Sequence, residues 1–269
     1  RLVATEACRR AANGAEFMQR IQRETGLKLD IIKPEEEAQL AVISCAPLVN
    51  RKTHNLLVVD IGGGSTELVW IDISKVPKAD RAQSIMRLHG GFHQAKTDVP
   101  AARVVDWISV PLGVATLRDQ FSDVEDDAAR FALMSWFFEE NLTDFTPYQS
   151  IQSQDHFQIV GTSGTVTTVA ASHLGLKRYD RTKVDGLRMT SAQIDKVIHS
   201  YLAMGPGGRR ADPRIGLDRQ ALIMSGAAIL QALMRCWPTD RLSVADRGLR
   251  EGLLYAQMSA DGVLEEGLG

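Results

Sequence analysis

Only three cysteines occur in the 269 residues, Cys8, Cys45 and Cys236. They are odd in number, far apart and never in C-x-x-C spacing. That argues against a disulfide framework or a thiolate zinc site and makes a reducing cytoplasm the expectation. Long hydrophobic runs are missing as well. None approaches the ~20 apolar residues a bilayer span requires, and the longest candidate, Ala227 to Met234, is interrupted by Gln231. Nor is there an excess of one charge. The formal net charge is -2, so no global field marks a nucleic-acid or membrane partner. The six histidines show no metal spacing; His89 and His93 flank Gly90, Gly91 and Phe92 and read as a flexible loop. No signal-peptide pattern precedes the opening "RLVAT", which reads as a strand already in progress, so an upstream segment is expected.

What remains is 44% hydrophobic and 24% charged, enough apolar residues for a sizeable core in one or two domains. Leu2 to Thr5 and Leu27 to Ile32 read as short strands around an amphipathic helix from Ala15 to Thr25, stopped by Gly26. In "KPEEEAQLAVISCA", Pro34 suits a first helical position and the three glutamates complement the helix dipole, so a helix to about Ala46 follows. Leu56 to Ile61 is a continuous apolar run, as expected of a strand buried on both faces, with Thr66 to Ile73 as its hairpin partner. Residues 74–106 are polar and read as an extended excursion, partly β. Further strands are expected at Trp107–Pro111, Phe157–Val160 and Leu242–Ala245. Helices are expected near Ala115–Phe121, Asp126–Asn141, Val166–His173, Ser191–Met204 and Asp218–Cys236, with a final helix from Gly252. Strands mixed with helices in this way indicate an α/β protein.

Two glycine-rich turns follow buried strands. The first is Gly62, Gly63, Gly64, Ser65. Glycines let backbone N–H groups converge on an anion without β-carbons in the way, but glycine near strands also marks plain bends. No G-K-[ST] follows, so this is not a Walker loop. Gly62-x-Gly64-x-x-Glu67 lacks the third glycine of the dinucleotide fingerprint and leads into a strand. The second turn, from Gly161 through Thr162, Ser163 and Gly164 to Thr165, opens a helix. It reads as an anion site at a helix N-terminus or as an ordinary junction capped by Thr165.

Asp60 and Glu67 bracket the first turn. They could supply the one or two carboxylates that a magnesium ion near phosphates uses, or Asp60 could merely cap the turn. Glu35, Glu36 and Glu37 are helix first-turn acids unless one of them enters a cleft as a general base. Arg178, Arg181, Lys183 and Arg188 crowd one loop, and Arg209, Arg210, Arg214 and Arg219 another. Each cluster is either a solvated face or part of a track for an elongated polyanion.

Taken together, "DIGGGSTEL", "PEEEAQL", "VATEACRRAANGAEF", "VPLGVATL", "GTSGTVTTVAA" and "SVADRGLREGLLY" resemble the exopolyphosphatase / guanosine pentaphosphate phosphohydrolase (Ppx/GppA) family, in order and spacing along nearly all of the chain. The resemblance implies the actin-like ATPase superfold of sugar kinases, chaperone ATPases and actin, with two ribonuclease-H-like α/β domains. It implies Mg²⁺-dependent release of terminal phosphate from inorganic polyphosphate or guanosine pentaphosphate, by a cytoplasmic homodimer without nucleic-acid or membrane partners. By the same resemblance Glu37 is the catalytic base. Asp60 and Glu67 are the metal-side carboxylates, and Arg9, Gly62, Gly63, Gly64, Ser65, Gly161 and Gly164 bind phosphate. Arg10 is a surface charge.

The chain also departs from the family pattern. The first phosphate loop, D-x-G-S-N, is absent, so residues 1–36 read as the remnant of an incomplete first domain and residues 37–255 as the second, with helix 256–269 able to pack on the remnant. The 74–106 excursion is longer than usual, and a V-H-G segment stands here as Val184-Asp185-Gly186, with no role assigned. The chain ends soon after "REGLLY" and resembles the short form, without a long C-terminal helical extension. Two other functions stay in view: a non-catalytic sensor that binds alarmone or polyphosphate, and an ATP-using enzyme of the same superfold.

Overall fold

A computed structural model of the chain describes residues 1–92, 100–149 and 156–263. The chain opens with β1 (Val3–Ala4), α1 (Glu6–Arg10), α2 (Gly14–Thr25) and β2 (Asp30–Ile31). Strands β1 and β2 pair in parallel as a small separate sheet. Gly26 closes α2 in the left-handed conformation, φ 72°, which glycine adopts without a Cβ penalty. Helix α3 (Pro34–Cys45) starts on Pro34 with all three glutamates in its first turn.

The hairpin β3 (Asn55–Ile61) and β4 (Thr66–Asp72) follows, then α4 (Arg81–Met86), β5 (Arg103–Val110), α5 (Val114–Gln120) and α6 (Asp127–Glu140). After these come β6 (Phe157–Thr162), α7 (Gly164–His173), α8 (Arg181–Val184), β7 (Arg188–Met189) and α9 (Ser191–Ala211). The chain then runs through α10 (Ile223–Cys236), β8 (Leu242–Ala245) and α11 (Leu249–Ala260).

The main sheet has six strands in the order β5-β4-β3-β6-β8-β7. Strands β5, β4 and β3 are antiparallel neighbours, β6 and β8 run parallel to β3, and β7 is antiparallel at the edge. Alternation along β3 and β4 divides the core. Leu57, Val59, Leu68 and Trp70 face one layer, with α5, α6, α7, α9 and α10. Leu56, Val58, Val69 and Ile71 face the other, with α3 and α11. Because the side-chain period of a strand is two, Asp60 and Glu67 fall on the second face, the one that α3 covers. Helix α3 is buried on nearly all sides beyond its first turn, as a helix sandwiched between a sheet and another helix must be.

Four local expectations are corrected. Residues 74–106 are not mainly extended: helix α4 and a short 3₁₀ turn, Arg87–Gly90, occupy much of the segment, because Arg81, Ser84, Ile85 and Leu88 bury against the α3 layer. His93 lies outside the described residues. Helix α10 starts at Ile223, after a 3₁₀ turn at Leu217–Arg219, rather than at Asp218. Helix α9 continues past Met204 to Ala211, broken at Gly205 (φ 63°) before Pro206. The cap of α7 is Ser163, whose hydroxyl accepts from the N–H groups of Thr165 and Val166 (3.1 and 3.2 Å), not Thr165.

Gly252 sets how closely α11 approaches α3. A methyl there would overlap the Leu40 carbonyl, with Leu40 Cα only 3.0 Å away. Backbone on both sides cannot yield as a flexible side chain can. Gly252→Ala is therefore expected to destabilise the fold by about 3 kcal/mol, at the upper end for overpacking, seen as a lowered thermal midpoint. A midpoint unchanged from wild type would contradict this packing.

Candidate active site

The glycine turn between β3 and β4 is held from behind. The N–H groups of Val114 and Ala115, at the start of α5, donate to the carbonyls of Gly62 and Gly63, both at 2.9 Å. The Thr116 hydroxyl donates to the Gly64 carbonyl at 3.2 Å. Gly113 allows this approach, because a Cβ there would collide with the backbone of Gly62 and Gly63. A trans peptide points its C=O and the following N–H in opposite directions. Tying back three consecutive carbonyls therefore turns the N–H groups of Gly63, Gly64 and Ser65 away from α5. Among the described residues no acceptor takes these three N–H groups. Three adjacent amide donors without partners form an anion-binding nest.

Carboxylates surround the turn. Asp60, at the end of β3, pairs directly across the hairpin with Glu67. Glu67 is buried and accepts from the Ser109 hydroxyl on β5 at 2.8 Å. Asp60 is half-buried and has no hydrogen-bond or ion-pair partner among the described residues. Burial, together with the charges of Glu67 and Glu37, pushes the Asp60 carboxyl up to about 8. Burial likewise pushes Glu67 up to about 7. An oxygen-only donor pair, one member unpartnered and both reluctant to ionise, fits a hard divalent cation. No three His, Cys, Asp or Glu side chains among the described residues form a complete metal cage. Mg²⁺ needs none, since it keeps waters and borrows substrate phosphates.

Glu37 stands in the first turn of α3. Its Oε2 accepts from Arg9 Nη2 at 2.8 Å. Burial holds Glu37 above the ordinary carboxylate range, against the lowering effect of Arg9. The acidic run thus divides: Glu36 pairs with Arg1 at 2.6 Å, whereas Glu37 turns to Arg9. Arg9 also donates to the Ile32 carbonyl at 2.7 Å and to Glu6. Glu6 and Arg9 are three positions apart on α1, but only the fold brings Glu6 against Gly64. Arg10 is exposed, as expected of a surface charge.

A cleft of about 320 Å³ opens at the carboxyl ends of β3, β6 and β8, where ligands of α/β sheets bind. Asp60 lines it with Ser163 and Gly164 of the second turn and with Arg219, Arg247 and Arg250. Asp60 is thus shared by both glycine turns. A Cβ at Gly164 would collide with the Arg219 guanidinium, so glycine lets that cation lie on the turn. The structure does not bring Gly161 to the cleft: it lies within β6, where its missing side chain makes room for Val166. Asp185, of the segment left without a role, forms an ion pair with Arg247 on the cleft wall.

A model described as the Ppx/GppA phosphatase family matches residues 1–261. The chain belongs to that family. Among solved structures, a Ppx/GppA family member from Aquifex aeolicus superposes with a TM-score of 0.71 at 29% identity, covering 96% of this chain and 74% of that one. The fold is therefore that of the actin-like ATPase superfold. Among curated relatives, exopolyphosphatase 1 of Mycobacterium leprae is 24% identical over 265 residues, covering 96% of this chain and 68% of the relative. The guanosine-5′-triphosphate,3′-diphosphate pyrophosphatase of Aeromonas salmonicida is 26% identical over 260 residues. The chain spans 44% of the length of that relative.

Within this Ppx/GppA chain the two basic loops do not form one continuous track. Arg209 is buried and bound in bidentate fashion to Asp127 at 2.6 and 2.9 Å. Removing either partner would strand a buried charge, which makes Arg209 a structural cation. Arg214 is held by Asp212, Lys183 by Asp180, and Arg181 by Asp246 and Glu251. Arg219 alone of the eight lines the cleft. Among the described residues no helix is long and apolar enough to cross a membrane.

Proposed function

We propose that the chain is a phosphoanhydride hydrolase that releases orthophosphate from the end of inorganic polyphosphate, or the 5′-terminal phosphate of guanosine pentaphosphate. One observation carries the reading: three successive amides of the Gly62–Ser65 turn are left without acceptors beside Glu37 and Asp60. The relatives named above support the substrate class.

In this reading the terminal phosphoryl group lies on the N–H groups of Gly63, Gly64 and Ser65. Arg9 offers it a planar cationic fork. Glu37 accepts a proton from a water that attacks the terminal phosphorus. The bridging P–O bond breaks, and the electron pair leaves with the shortened chain. Positioning and charge neutralisation provide most of the catalysis in such transfers. Asp60 and Glu67 would hold Mg²⁺, which when bound supplies positive charge to the phosphate oxygens. Arg219 and the second glycine turn extend the cleft from Asp60, so phosphates beyond the first can follow it. A boundary near residue 36 divides the chain into two domains in this reading, supported by the separate β1–β2 sheet. The expectation of a homodimer rests on the resemblance; that of a cytoplasmic location rests on the resemblance and on the three scattered cysteines.

A phosphate-release assay with Mg²⁺ on polyphosphate, guanosine pentaphosphate and ATP tests the proposal. Turnover of one or both of the first two, well above that of ATP, is expected. Preferential turnover of ATP, or tight binding of polyphosphate and guanosine pentaphosphate without release from either, would overturn it.

A further inference from the structure

Four of the five N–H donors of Arg9 are taken by the protein itself. A guanidinium presents two forks, Nε with Nη2 and Nη1 with Nη2. Glu6 Oε2 fills the first, at 3.1 Å from Nε and 2.9 Å from Nη2. The Ile32 carbonyl, 2.7 Å from Nη1, and Glu37, 2.8 Å from Nη2, fill the second. A phosphoryl group that binds Arg9 through two oxygens must therefore displace one of these acceptors.

They are not equally displaceable. The Ile32 carbonyl is backbone, in a segment fixed by the bond from Ile32 N–H to the Ala4 carbonyl at 3.0 Å. Glu37 has to stay beside the attacking water. Glu6 hangs from the first residue of the five-residue helix α1 on a side chain with free torsions. It also lies at the place a phosphate would need, since a Cβ on Gly64 would come within 2.8 Å of Glu6 Cγ. Glu6 and Arg9 side chains are each only 15% exposed, so their contact is largely shielded from solvent.

Resting on the phosphohydrolase reading, we propose that Glu6 is a positioning residue that fills the anion-binding fork of Arg9 while the site is empty and is displaced by the terminal phosphoryl group. Its Oε2 oxygen, shared between Nε and Nη2, stands in for a phosphoryl oxygen on that fork. Arg9 stays aligned between turnovers, and the product orthophosphate meets an internal competitor that speeds its departure.

The test is calorimetric titration of orthophosphate, with Mg²⁺, into wild type, Glu6→Gln, Arg9→Ala and the double variant. Removing the competing charge should tighten orthophosphate by about tenfold, the usual scale of a charge-assisted hydrogen bond. The Michaelis constant for polyphosphate should fall with it while kcat does not rise. Arg9→Ala should weaken binding, and in that background Glu6→Gln should have a clearly smaller effect, because Glu6 competes mainly for Arg9. Glu6→Ala, compared by thermal melting, guards against misfolding of the first variant and should bind orthophosphate as tightly. If Arg9→Ala weakens binding but the Glu6 variants leave it unchanged or weaker, Glu6 is only a buttress and the inference fails while the hydrolase reading stands. If Arg9→Ala has no effect, Arg9 does not bind phosphate and that part of the hydrolase reading fails with it.

Discussion

Glu37→Gln is expected to lower phosphate release by about a thousandfold, within the range a positioned general base contributes, while the fold and polyanion binding persist. Glutamine is nearly isosteric. Its carbonyl oxygen can still accept from Arg9, the group that orients Glu37. Arg9 keeps Glu6 and the Ile32 carbonyl in any case, so no buried charge is stranded. What disappears is the basic lone pair. In wild type that lone pair is free only above the pH at which Glu37 loses its proton, and burial has raised that point. The acid limb of the kcat profile should therefore lie above the ordinary carboxylate range. Phosphate release by Glu37→Gln within about threefold of wild type would remove Glu37 from the role of base.

Asp60→Asn should abolish turnover yet stabilise the cation-free protein at alkaline pH. The Asp60 carboxyl binds its proton more tightly when folded, up to about 8, than in an unfolded chain, where the value is about 4. Such an acid favours the folded state while it is protonated. Its contribution is complete below about pH 4 and is lost as pH rises through about 8. Each tenfold change in proton affinity is worth about 1.4 kcal/mol. Asp60 is only half-buried and recovers part of its hydration, so a gain of about 2 kcal/mol is expected for Asp60→Asn at pH 8 in chelator. In a chain of this size that is roughly 5 °C in thermal midpoint. Magnesium should raise the wild-type midpoint at pH 8, because a ligand of the folded state stabilises it, and should leave Asp60→Asn unmoved. Equal midpoints in chelator, or equal protection by Mg²⁺, would contradict the assignment.

Much of this site can be read from the sequence because its chemistry is local. The apolar run Leu56–Ile61, the glycines and the flanking carboxylates all lie in one hairpin, and strand alternation alone puts Asp60 and Glu67 on one face. Glu37 announces itself through Pro34 and the acidic first turn of α3, although which of three glutamates enters the site is decided by Arg1 and Arg9, partners from another segment. Other features depend on contacts remote in sequence. Gly113 looks like any loop glycine until α5 is seen tying back the Gly62–Gly64 carbonyls. Arg209 looks like its neighbours in a basic loop until Asp127 is found 82 positions away. Helix α4 and the turn after it have the polar composition of a loop and fold because a few residues, Ile85 and Leu88 among them, reach the α3 layer.

The account is tested most directly by polyphosphate turnover with Mg²⁺ in ¹⁸O-labelled water. It predicts one ¹⁸O atom in each orthophosphate released, an unlabelled remaining chain, and loss of both release and labelling in Glu37→Gln. Label at the new end of the shortened chain would place the attack on the penultimate phosphorus. That result, or labelled release undiminished in Glu37→Gln, would contradict it.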